Sequence, residues 1–151
     1  MNLSLSVAIK YGGYITLSLI AYFLVLRLFN LHENPWLRIL NGAFMCYGIY
    51  NAIKFYKLTT SDSFTYINGI KTGLLTGFFC TVIFTVFMAI YMFHIDVPFT
   101  EMMLETWFKD YEIGANILLF IIFIEGVSST VVLSLAFMQL FKRSNNIPQN
   151  A

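Results

Sequence analysis

The stretch IGANILLFIIFIEGVSSTVVLSLAFMQLF, residues 113–141, carries a single charged side chain, Glu125. An apolar run of that length reads as a helix crossing a bilayer, since about 20 apolar residues span the hydrocarbon core. Backbone groups in lipid must be satisfied within their own segment, and the alternation of a membrane barrel is absent, so the crossing is helical. Lys142 and Arg143 close the run. Three further runs precede it, at about 11–29, 38–54 and 70–93. The second is short for a span; Arg38 and Lys54 extend it if their side chains snorkel to opposite interfaces. Asn34-Pro35 marks the turn before it.

Composition points the same way. Only 11% of residues are charged and 58% are hydrophobic, whereas a soluble domain carries roughly 25% charged residues. Mean hydropathy is +0.73. The expected fold is all-α: one integral membrane domain over 1–151, with four transmembrane helices and a polar tail at 144–151. The first run reads as a retained span, because Leu26-Arg27-Leu28-Phe29 is bulky and charged where a signal-peptide cleavage site needs small residues. Four spans put both termini on one side. Lys10, Lys54, Lys57, Lys71, Lys142 and Arg143 then share that side, against Arg27, Arg38 and Lys109 opposite. The excess of Lys and Arg marks the termini as cytoplasmic.

Several function classes drop away. A net charge of +1 supplies no field for nucleic acid. Cys46 and Cys80 sit in apolar runs without a CxxC or Cys/His cluster, so they read as free thiols packed like small apolar groups. No hydrolase elbow, HExxH, P-loop or dinucleotide fingerprint is present, and no cofactor or metal is expected. His94 and Asp96 form an HxD spacing that is common by chance. The expectation is a non-enzymatic membrane component whose partners are the lipid bilayer and a second copy or a larger membrane complex. The alternative is a small transporter or channel subunit using Glu125 as a proton or cation site.

Three features carry that expectation. Phe99, Met103, Trp107 and Tyr111 recur every four residues opposite Glu101, Glu105 and Lys109, which predicts an amphipathic helix at about 98–112 in the outer loop between spans three and four. Pro98 suits its first turn and Gly114 its end. The apolar face is a candidate outer interface. Span three carries a stripe of small or hydroxyl residues, Gly69, Gly73, Gly77, Thr81, Thr85 and Ala89, with a shorter one, Gly126, Thr130 and Ser134, on span four. Such stripes let helices approach closely in lipid, within the bundle or between two copies. Ser61-Asp62-Ser63 offers capping side chains for the start of span three.

The third feature is Glu125. It lies close to the midplane, where an acid costs several kcal/mol by insertion scales. Desolvation disfavours a bare carboxylate, so it needs a proton or a partner. Arg38, Arg27 and Asn41 are the candidate partners, and Ser128 and Ser129 extend a polar strip beside it. A satisfied structural acid, a proton or cation relay and a ligand anchor all fit this pattern.

The order of motifs along the chain resembles a family of small bacterial membrane proteins designated domain of unknown function four-one-nine-nine. The likeness runs over nearly the whole chain: Tyr11-Gly12, Asn34-Pro35, Ile-Lys-Phe-Tyr-Lys57, the stretch from Ser63 to Gly73, the acidic loop, and Phe-Ile-Glu125-Gly before a closing Lys-Arg. Where the family places a proline and glycine just after the acid, this chain has Gly126-Val-Ser-Ser-Thr130. The resemblance implies four helices in a bacterial inner membrane and implies no activity.

Overall fold

The computed structural model describes residues 3–31, 35–108 and 114–141. Among the described residues there are five α-helices: α1 (Leu3–Leu28), α2 (Ile39–Thr60), α3 (Tyr66–Ile90), α4 (Val97–Trp107) and α5 (Asn116–Phe141). A 3-10 turn, Pro35–Arg38, leads into α2, and another, Ser61–Ser63, follows it. A wider π-turn, Tyr91–Ile95, ends α3. Among the described residues there is no strand. The chain is all-helical, and α1, α3 with its π-turn, and α5 are long and apolar enough to cross a membrane. α2 is not among them; Asn41, Asn51, Lys54 and Lys57 dilute its hydropathy.

Small polar residues survive inside these apolar helices because their hydroxyls donate to carbonyls one turn back. Thr16 donates to Gly12 at 2.8 Å, Thr76 to Thr72 at 2.7 Å and Thr130 to Gly126 at 2.7 Å. The cap of α3 differs from the sequence reading. Ser61–Ser63 close a tight turn, in which the Ser63 hydroxyl donates to the Thr60 carbonyl at 2.9 Å. Thr65, extended at φ −112° and ψ 152°, caps the helix instead, accepting from the Asn68 N–H. An extended residue with a side-chain oxygen aimed at the third N–H is what a cap requires, and the tight turn consumes Ser61–Ser63 before the helix begins.

Helix directions follow from register. Gly12 of α1 lies on Thr76 and Phe79 of α3, and Phe23 stacks edge-on to Phe87 and Tyr91, so these two helices run parallel. Arg38 meets Glu125 and Tyr50 meets Phe137, so α2 and α5 also run parallel. Tyr22 with Phe44 and Tyr11 with Phe55 set α1 antiparallel to α2. The order is up, down, up, down, with α3 packed against α1, α2 and α5.

The small-residue stripe of α3 finds its surface on α5. Gly69 faces Met138, Gly73 faces Ser134, Gly77 faces Thr130, and in the next position the roles swap, with Gly126 facing Thr81. A Cβ on Gly73 would stand 2.7 Å from the Ser134 hydroxyl, and one on Gly126 would stand 2.6 Å from the Thr81 methyl. The seam is thus a ladder in which each glycine receives a side chain of the other helix. Below and beside it, Ile15, Leu19, Met45, Ile49, Ile53, Cys80 and Met138 form one buried cluster. A second cluster at the other end gathers Met88, Tyr91, Met92, Phe99 and Leu118.

The helix expected over 98–112 is shorter at its end. α4 stops at Trp107, and Phe108 leaves helical geometry at φ −133° and ψ 29° while its N–H still reaches the Leu104 carbonyl at 2.8 Å. Phe108 packs against the second cluster, which ends the helix one turn before the period-four pattern does. Asp96 starts it by accepting from the Phe99 N–H at 3.2 Å, with Pro98 in the first turn.

Candidate functional site

α2 is displaced along the bundle relative to α5. Its first turn follows Arg38, which stands level with Glu125, yet α5 continues back to Asn116. At 1.5 Å per residue that is roughly 13 Å of α5 with no α2 beside it. The vacated space is a chamber of about 140 Å³ between the two buried clusters. Leu19, Met45 and Cys80 of the first cluster line one end, and Met88, Met92, Phe99 and Leu118 of the second line the other. All five helices contribute to its wall.

The wall is mostly apolar and soft, with Phe23, Phe84 and four methionines, and it carries polar atoms left without partners. Asn41 Oδ1, Thr81 Oγ1 and Thr85 Oγ1 are buried and accept or donate no hydrogen bond. Thr81 is only 4% exposed. Its helical neighbours Thr72 and Thr76 bond back to carbonyls one turn away; Thr81 and Thr85 do not. A buried polar group without a partner costs about 1–3 kcal/mol. Three of them belong to residues of the chamber wall and are sealed within it; Ser134 Oγ, in the seam between α3 and α5, is a further buried atom without a partner.

Arg38 and Glu125 stand at the edge of the chamber. Arg38 Nη2 donates to Glu125 Oε2 at 2.8 Å, and the two side chains are 39% and 54% exposed. The pair fastens the start of α2 to α5. Outside it lies a groove of about 370 Å³, lined by Ile39, Met103, Phe108, Leu118 and Ile121 together with the same two charges. The ion pair is thus the partition between an inner chamber and an outer groove.

The other sequence candidates fall into place around this arrangement. Of the three partners considered for Glu125, Arg38 makes the bond. Arg27 turns instead to Asp96 at 3.5 Å and lies over the Tyr91 ring, 4.9 Å from its centre. Asn41 lines the chamber without bonding the acid. Ser129 lines the chamber, whereas Ser128 is exposed. The Arg38 guanidinium, an expected interface anchor, is bonded to Glu125 on α5. In the stripe, Gly69, Gly73 and Gly77 are buried in the seam, Thr81 and Thr85 turn to the chamber, and Ala89 is half-buried. Phe99 is buried in the chamber wall, and Met103 borders both the chamber and the outer groove. Trp107 ends α4, and Tyr111 lies outside the described residues.

No family model, curated protein or solved structure matches this chain. The site therefore has to be read from its own chemistry. Among the described residues no group of His, Cys, Asp and Glu is arranged to hold a metal ion. Sequence reasoning missed Cys80, Phe84, Met88 and Met92 as wall residues. Nothing in an apolar run distinguishes a side chain that faces a cavity from one that faces a neighbour. The one available signal was the pair of threonines, Thr81 and Thr85, continuing a glycine stripe after its glycines end.

Proposed function

We propose that this chain is a non-enzymatic, four-pass membrane protein that receives a small molecule in the chamber between its helices. The observation that carries the reading is the trio of unpartnered polar atoms, Asn41 Oδ1, Thr81 Oγ1 and Thr85 Oγ1, around a cavity of about 140 Å³. A dry engineered cavity of about 150 Å³ holds benzene, so the volume suits a ring-sized group. The polar atoms are sealed in the wall, and a rotation of the Asn41, Thr81 or Thr85 side chain gives that group something to bond.

The four-pass arrangement is supported by helix direction. α1 and α3 run parallel, so if both cross a membrane the chain between them crosses back. Placement in a bacterial inner membrane with both termini cytoplasmic, and membership of the family named above, belong to the same reading. They rest on the distribution of Lys and Arg and on motif order.

A conducting role for Glu125 fits less well. Beyond the chamber floor Ile49, Ile53 and Met138 are fully buried, and the glycine ladder closes α3 on α5. A second copy docking through the α3 stripe is also disfavoured, because α5 already covers it. Native mass spectrometry of protein extracted from membranes tests the proposal. The expected result is a retained small molecule, released on unfolding and lost when Thr81→Val is combined with Asn41→Leu. An empty protein, together with a proton flux in vesicles that Glu125→Gln abolishes, would replace binding by transport.

A further inference from the structure

We infer that the chamber takes the uncharged head of an amphiphile and that its apolar tail leaves past the Arg38–Glu125 pair into the outer groove. The inference rests on the binding reading above and adds the class of ligand and its path. Among the described lining residues, the charged groups are Arg38 and Glu125, and each is answered by the other at 2.8 Å. A charged head entering the chamber would stand unpaired in an apolar wall or split that pair, and an unpaired charge there is the costliest outcome available. An uncharged hydroxyl or carbonyl head faces no such penalty. Thr81 and Thr85, whose hydroxyls both donate and accept, and Asn41 line the chamber with their oxygens sealed in the wall and without partners, so a side-chain rotation offers each oxygen to such a head.

The volumes divide the ligand in the same way. The chamber is too small for a whole lipid, but the groove beyond the ion pair is larger, about 370 Å³, and apolar apart from the pair itself. The two spaces share Arg38, Glu125, Met103, Leu118 and Ile121. A chain leaving the chamber therefore passes directly over the ion pair. Methionines on this path suit a flexible tail, because their side chains repack around varied shapes.

Photolabelling in phosphatidylcholine nanodiscs tests this with three probes of equal length: diazirine-tagged hexadecanol, hexadecanoate and hexadecylamine, the tag on the tail. The expected result is labelling of Phe108, Ile39 or Met103 by the alcohol, at least tenfold above the other two, competed by untagged hexadecanol. Thr81→Val with Asn41→Leu should remove this labelling while the melting temperature holds or rises, since each substitution removes a buried oxygen without a partner. The charge rule is tested by unpairing: Glu125→Gln should admit the acid through the freed Arg38, and Arg38→Gln should admit the amine through the freed Glu125. Equal labelling of the unmodified protein by acid, amine and alcohol would overturn the uncharged-head assignment and leave the chamber as a binding site. Labelling confined to the lipid-facing side chains of α5, such as Val132 and Leu140, with all three probes would overturn both.

Discussion

The two ends of the bundle are built by opposite rules. At one end, α3 and α5 are laddered together, each glycine filled by Met138, Ser134 or Thr130, with Ile49 and Ile53 fully buried alongside. At the other, α2 contributes only its first two turns, methionines and phenylalanines surround a cavity, and the Thr81 and Thr85 hydroxyls are left without partners, as is that of Ser134 in the ladder. The same helix, α3, serves both. Its stripe carries glycine through the ladder, then Thr81, which both packs on Gly126 of α5 and borders the chamber, then Thr85 on the chamber wall. Close packing at one end holds the frame that keeps the other end open, since interiors that are close-packed transmit strain instead of absorbing it.

Breaking the ladder should have the largest effect. Gly77→Val drives a branched side chain into Thr130, and overpacking of this kind costs about 1–3 kcal/mol. The expected outcome is a lower melting temperature in detergent, partly restored by Thr130→Gly on the facing helix. A tolerated Gly77→Val would mean that the seam is looser than the chamber and would invert the contrast.

Next in size is the pair that borders both regions. Glu125→Leu alone leaves Arg38 unanswered and should lower stability by about 1–2 kcal/mol, less than a sealed pair because both side chains are more than a third exposed. Adding Arg38→Leu should recover most of the loss, whereas Glu125→Gln alone should be milder than Glu125→Leu. A double mutant no better than the single would show that the pair does more than answer its own charges.

The smallest effects come from one substitution made in both regions. Thr130→Val removes a hydroxyl that donates to the Gly126 carbonyl and should cost about 1 kcal/mol. Thr81→Val removes a buried hydroxyl that bonds nothing, so the ligand-free protein should gain stability, by about 1 kcal/mol. Equal losses at the two positions would mean that Thr81 has a partner in the folded protein and that the chamber is not what leaves it free.

Much of this contrast has a sequence signature, and the missing part has a physical cause. Apolar runs announce helices because lipid tolerates little else. The period-four stripe on α3 announces a close approach. What a stripe cannot announce is its partner, which depends on the register of two helices separated by the loop and α4. Glu125 offered three partners by depth alone, and the choice of Arg38 follows from the late start of α2, set by the 3-10 turn at Pro35–Arg38. The period-four pattern of 98–112 runs past the end of the helix at Trp107, where Phe108 leaves helical geometry and packs on the second cluster. The chamber itself was invisible, since a void is a property of what neighbouring helices fail to fill.

The late start of α2 also bears on how the chain reaches its membrane. α1, α3 and α5 have the hydropathy to partition into lipid on leaving the ribosome; α2 lacks it. On the four-pass reading, α2 enters not as a solitary segment but as the third party to a contact. Gly48 receives Ile15 of α1, and Ile53 reaches Gly73 of α3. A nascent chain stalled before Tyr66 should therefore leave α2 at the membrane surface, and synthesis of α3 should draw it in. Biogenesis then has an order: the topology of the first half of the protein is decided only when the second half begins.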